Sequence, residues 1–186
     1  MKAVVVNALV FQAGWLCCVL AGANHLPWLG TLAALAIVGW HLASATMPRT
    51  ELGLVLIAGL VGAVWDSLLV YAGWLDYPSG ILIEGTAPHW IVAMWLLFAT
   101  TLNVSLRFLK QRPWLSAAFG AVGGPLAYLA GYKLGGVQIA DFTVAMMALA
   151  IGWAVFMPLL MHLSMRLDGY APATPASSLT GYNVHV

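Results

Sequence analysis

The sequence predicts an all-α fold, a polytopic transmembrane helical bundle of about six spans. Three observations carry that reading. Hydrophobic residues make up 62% of the 186-residue chain and charged residues 7%. A soluble domain carries roughly 25% charged residues and has too much surface to hide an apolar excess of this size. The apolar residues fall into six runs, each near the roughly 20 residues that cross a bilayer. The runs are continuously apolar rather than alternating, which argues against a β-barrel, and without water their backbone groups must pair within helices.

The first run, Ala3 to Gly22, follows Lys2 and ends in Ala21-Gly22-Ala23, so it has some likeness to a secretory leader. It is longer than a leader's apolar core of roughly 7–15 residues and carries Asn7 and Gln12, so we read it as a retained span. Its adjacent Cys17 and Cys18 have no other cysteine to pair with, which makes them packed thiols. The later runs are Trp28 to Thr46, Leu52 to Trp74, His89 to Leu109, Leu115 to Lys133 and Phe142 to Leu163. Turn residues mark most of the breaks, as in Asn24-His25-Leu26-Pro27, Met47-Pro48-Arg49, Gln111-Arg112-Pro113 and Gly135-Gly136. Residues 1–167 form one transmembrane domain on this reading. Residues 168–186, rich in Pro, Ala, Thr and Ser, are expected to be a disordered cytoplasmic tail.

Lys and Arg set the orientation. Lys2, Arg49, Arg107, Lys110, Arg112 and Arg166 fall on one side of six spans and Lys133 on the other. The positive-inside rule then places both termini in the cytoplasm and the loop from Leu75 to Pro88 outside. A net charge of +1 gives no basic field for nucleic acid. No G-x-S-x-G, Walker, zinc or dinucleotide motif occurs, so no cofactor or metal is expected. Pro27-Trp28-Leu29 and Pro113-Trp114-Leu115 match over three residues only, which is no repeat.

Asp66 is the residue most open to a chemical role. It lies inside the third run, where a charged, unpaired carboxylate costs roughly 2.5–3.5 kcal/mol on insertion scales. It is a candidate acid/base or proton carrier, or else a buried hydrogen-bond post. Tyr128 and Lys133 are its candidate partners. A second polar group comprises Asn7, His41 and Asn103 with Ser105, and Gln12 and Thr100-Thr101 lie nearer mid-depth. Two amides, an imidazole and hydroxyls suit a ligand's polar head. They equally suit the hydrogen bonds that hold membrane helices together. Gly120, Gly124, Gly131 and Gly135 make two G-x-x-x-G pairs on the fifth span. Such faces allow close helix packing or self-association. Pro125 between them is a candidate break.

Several short pieces occur in a joint order: Asn7 with Phe11-Gln12 and Trp15, Asp66-Ser67-Leu68, Pro88-x-Trp90 with Trp95 and Phe98, Thr101-Leu102-Asn103-x-Ser105-Leu106, and Gly123-Gly124-Pro125-x-Ala127-Tyr128 with Gly131. In this the chain resembles a family of small bacterial inner-membrane proteins defined only as a domain of unknown function. The resemblance covers the chain up to Arg166. It implies location and topology rather than mechanism, and inclines the reading toward lipid chemistry. The leading expectation is a membrane protein that binds a small apolar or amphipathic molecule, with membrane lipids as partners. The alternatives are an enzyme using Asp66 with His89 or Glu84, a proton-coupled transporter, and a structural subunit.

Overall fold

The computed structural model describes residues 1–171. Most of the segment expected to be a disordered tail, residues 172–186, lies outside the described residues. The chain folds as an all-α bundle of six helices: α1 (Lys2–Ala23), α2 (Pro27–Ala43), α3 (Pro48–Tyr71), α4 (His89–Leu102), α5 (Pro113–Lys133) and α6 (Phe142–Arg166). Three of these helices open on proline, at Pro27, Pro48 and Pro113. There the missing N–H is one the helix could not have used, and the fixed φ already suits the first turn. α6 opens on Asp141, whose carboxylate accepts from the Val144 N–H at 3.0 Å and caps the first turn.

α4 is the hub, packing against α1, α2 and α3 on three sides and touching α6. It is the most buried helix, with Trp90, Trp95, Leu97 and Leu102 inside. Around it, small residues set how closely the helices approach. Gly30 of α2 lies against the Cys18 backbone of α1, and the Cys18 thiol donates to the Gly30 carbonyl at 3.3 Å. α5 packs almost wholly on α6, and Gly120 and Gly124 make room there for Trp153. The Gly120 and Gly124 positions of α5 are thus packed by a residue of the same chain. α5 runs unbroken through Pro125.

The outward surface is as apolar as the core. Leu9 and Leu60 are 65% exposed and Ile151 is 68% exposed. α1, α3 and α6 are each long and apolar enough to cross a membrane. A helix apolar on every face has no preferred side for water, so the bundle is a membrane protein.

Three details depart from the sequence reading. The fourth run does not remain helical to Leu109. α4 ends at Leu102, and a short 3-10 turn covers Arg107–Leu109. The run is apolar beyond Leu102, but Asn103 leaves the helix to bond with α3 and the end of α6. A two-residue ribbon also forms: β1 (Leu75–Asp76) pairs antiparallel with β2 (Gln138–Ile139). Finally, Asp168, Gly169 and Tyr170 belong to the folded domain rather than to a loose tail, because each supplies a hydrogen bond to a polar group at the end of the bundle.

Candidate functional site

The polar residues singled out from the sequence fall into two separate places, one near each end of the bundle. Asp66 is fully buried on α3 and faces inward. Three donors converge on it. The Tyr77 and Tyr128 hydroxyls donate to Oδ1 at 3.0 and 2.6 Å, and the Trp95 indole N–H donates to Oδ2 at 2.7 Å. Glycine placement explains how they reach. A Cβ at Gly62, one turn before Asp66 on the same face of α3, would collide with the Trp95 indole. Gly124 stands one turn before Tyr128 on α5 and makes room for Trp153, which stacks on Trp95 at 4.7 Å. Each helix thus opens a notch for an indole and delivers its polar side chain one turn later. Tyr77 follows β1 and is held above Asp66 by the ribbon. Burial and the adjacent Asp66 charge push its phenol well above the usual tyrosine range.

Other suggested partners of Asp66 lie elsewhere. Lys133 is exposed, with its ammonium 5.7 Å from the Tyr132 ring centroid. His89 pairs with the Thr31 hydroxyl at 2.7 Å and stacks on Trp28, while Glu84 is exposed on the loop. Neither joins Asp66, so the acid/base pairing expected with them does not form. Tyr77 and Trp95 were not picked out as partners. Nothing in the sequence separates them from the other aromatics, because their role depends on how helices far apart in the chain turn toward each other.

In front of these donors lies a cleft of about 440 Å³, within the roughly 300–1,000 Å³ of small-molecule sites. It lies between α1 on one side and α5 on the other, with α4 and α6 contributing Phe98 and Trp153. Its lining on α5 extends from Phe119 to Gly131, which is about 18 Å at 1.5 Å per residue. The lining is aromatic, aliphatic and glycine. Its polar side chains are Gln12, the two tyrosines and the tryptophans, and no Lys, Arg, Asp or Glu lines it. Gln12 is exposed to the cleft and Tyr128 forms part of its wall. Asp66 lies behind the wall, its carboxylate covered by Tyr77, Trp95 and Tyr128.

The second place is at the opposite end. Glu51, fully buried in the first turn of α3, accepts from His41 Nε2 at 2.8 Å, from Asn103 Nδ2 at 2.7 Å and from the Gly169 N–H at 3.0 Å. The Tyr170 hydroxyl donates to the His41 carbonyl at 2.6 Å. Asn103 Oδ1 accepts from Lys110 at 2.6 Å, and both Lys110 and Arg107 reach Asp168 at 2.8 Å. Asn7 is separate. It bridges the Thr100 carbonyl at 3.1 Å and the Ser105 N–H at 3.3 Å, tying α1 to the end of α4. Burial works against the charge on Asp168, but Lys110 and Arg107 outweigh it and hold the carboxyl below its usual range. Burial and the Glu51 charge push the Tyr170 phenol up to about 12. The sequence reading missed Glu51. An acid just after Pro48 looks like an ordinary first-turn charge that complements the helix dipole. Its partners lie 10, 52 and 118 residues away.

No buried side-chain nitrogen or oxygen of this second network, among the described residues, lacks a hydrogen-bond partner, so it fastens the helix ends. Among the described residues, no group of three or more His, Cys, Asp or Glu is placed to hold a metal ion. The cleft with its Asp66 wall is therefore the candidate site. No curated protein and no solved structure matches the chain. A family described as "Protein of unknown function (DUF2878)" matches residues 4–159, nearly the whole helical bundle, and the chain belongs to that family.

Proposed function

We propose that this protein is a multi-pass inner-membrane protein that takes a small apolar or amphipathic, lipid-like molecule into the cleft between α1 and α5. The observation that carries the reading is the cleft itself. It has about 440 Å³ of space walled by Phe11, Trp15, Phe98 and Trp153, with no ionic side chain among its lining. In lipid such a space fills with hydrocarbon, because opening it to water would gain nothing for its walls. The long dimension, about 18 Å, is over half of a roughly 30 Å hydrocarbon core, which suits a chain-like occupant. The topology that goes with this has six spans and both termini in the cytoplasm. It places the Asp66 end of the cleft toward the outer leaflet. An accessory role in lipid metabolism fits this arrangement.

Gly123 provides the test. It lines the cleft, and a Cβ added there meets nothing closer than Phe119 at 3.9 Å. Gly123→Leu should therefore fold normally and fill the cleft. The protein and this variant would be purified in a mild detergent and their bound small molecules measured by native mass spectrometry and extraction. We expect an amphipathic species that stays with the parent protein and is lost from the variant. Equal retention by a well-folded Gly123→Leu protein would overturn the cleft as the binding site.

A further inference from the structure

We infer that the cleft selects an occupant whose polar end is neutral and hydroxyl-bearing, rather than a carboxylate or an amine; the inference rests on the cleft reading above. The Asp66 carboxylate takes the protons of both Tyr77 and Tyr128, at 3.0 and 2.6 Å. A phenol has one proton and two lone pairs. With its proton spent on Asp66, a tyrosine offers the cleft acceptor capacity only. A head group seated there must donate a hydrogen bond, and a carboxylate cannot. An ammonium could donate to the same oxygens, so charge has to exclude the amine.

Charge points the same way. No Lys or Arg lines the cleft to balance an anion, and no acidic side chain is open to a cation, since Asp66 is buried behind its three donors. A charged head would enter a low-dielectric space without a counter-ion, where an unpaired ion is far more costly than a neutral dipole. Gln12, the remaining polar side chain of the lining, both donates and accepts and adds no charge.

The test uses the full-length protein in nanodiscs at neutral pH, with three terminally brominated chains of equal length: dodecanol, dodecanoate and dodecylamine. Bromine quenches tryptophan fluorescence, and Trp15, Trp95 and Trp153 line the cleft. Gly123→Leu provides the background from chains dissolved in the bilayer. We expect saturable quenching above that background, with the alcohol binding about ten-fold or more tightly than either charged chain, as an unpaired buried polar group implies. Tyr128→Phe removes one acceptor and should weaken the alcohol several-fold while leaving a matched brominated alkane unchanged. Asp66→Leu, which offers the tyrosines no acceptor, should release their protons and shift the alcohol-to-acid ratio toward the acid. The acid or the amine binding as tightly as the alcohol would overturn the inference and leave the cleft reading standing. So would an unchanged alcohol affinity in Tyr128→Phe or an unchanged ratio in a folded Asp66→Leu protein. No saturable quenching by any chain would overturn the cleft reading itself.

Discussion

Two buried carboxylates, Asp66 and Glu51, show how differently the same chemical group can be placed. Glu51 is surrounded by donors that all belong to elements it holds together, so its loss is a loss of fold. Glu51→Ala leaves His41, the Asn103 amide and the Gly169 N–H without their acceptor. Removing one member of such a buried set costs about 3–5 kcal/mol, and thermal unfolding in detergent should show it. Trp95→Phe is milder. It leaves one ring to stack on Trp153, removes the N–H that Asp66 accepts, and opens a small gap where the second ring was. The expected loss is about 1–3 kcal/mol. Asp168 gives the pH dependence. Its folded pKa is depressed, so its stabilising contribution is present above the ordinary carboxylate range and is lost as pH falls through the lower folded value. An unfolding-temperature series carried below about pH 4 should show a loss for the parent protein that is absent in Asp168→Asn.

At the scale of single elements, the bundle depends on small residues facing large indoles. Gly62 admits Trp95, Gly152 admits Trp65, and Gly120 with Gly124 admits Trp153. A side chain at any of these positions meets a ring or a backbone carbonyl rather than the flexible end of a neighbour. Gly124→Val should therefore cost more than the roughly 1–3 kcal/mol of ordinary overpacking. Gly123→Val, one position away and facing open space, should cost less than 1 kcal/mol. Unfolding of the two variants side by side checks this. The helices themselves were legible in the sequence because a continuous apolar run in lipid has one backbone solution. The pairing of Asp66 with Tyr128 was legible too, since both lie at similar depth on different helices. The end of α4 was not. Hydropathy continues through Val104, Leu106 and Leu109, and only the capture of Asn103 by Glu51 and the Leu167 carbonyl stops the helix. Tyr77, Trp95 and Glu51 were hidden for a related reason. Which way a helix is rotated in a bundle depends on partners far along the chain, and periodicity is silent when every face is apolar.

At the scale of the whole molecule, the charge asymmetry read from the sequence has a structural counterpart. Arg107 and Lys110 lie beside Asp168 at the end of the bundle opposite the ribbon. Reporter fusions at Ser79 and at the C-terminus should place the first outside and the second in the cytoplasm, and the reverse result would invert the topology. The molecule also divides unevenly. α1 to α4 pack around one hub, while α5 and α6 pack mainly on each other and meet the hub through lesser contacts with α3 and α4. The ribbon adds one further tie, pairing Leu75 with Ile139 and Asp76 with Gln138, and Ala140 donates to the Trp74 carbonyl at 3.2 Å. Tyr77 follows β1 and Val137 precedes β2, and both line the cleft. So short a ladder opens far more readily than a helix. Under the cleft reading proposed above, it is expected to act as a latch on timing, its breathing setting how quickly a guest exchanges while the wall behind sets which guest is held. Gln138→Pro deletes a backbone donor from the ribbon. It should hasten arrival and departure together and leave their ratio, and hence Kd, nearly unchanged. Faster hydrogen exchange at the amides of Asp76 and Ala140 than along α4 would be the sign that the latch opens alone.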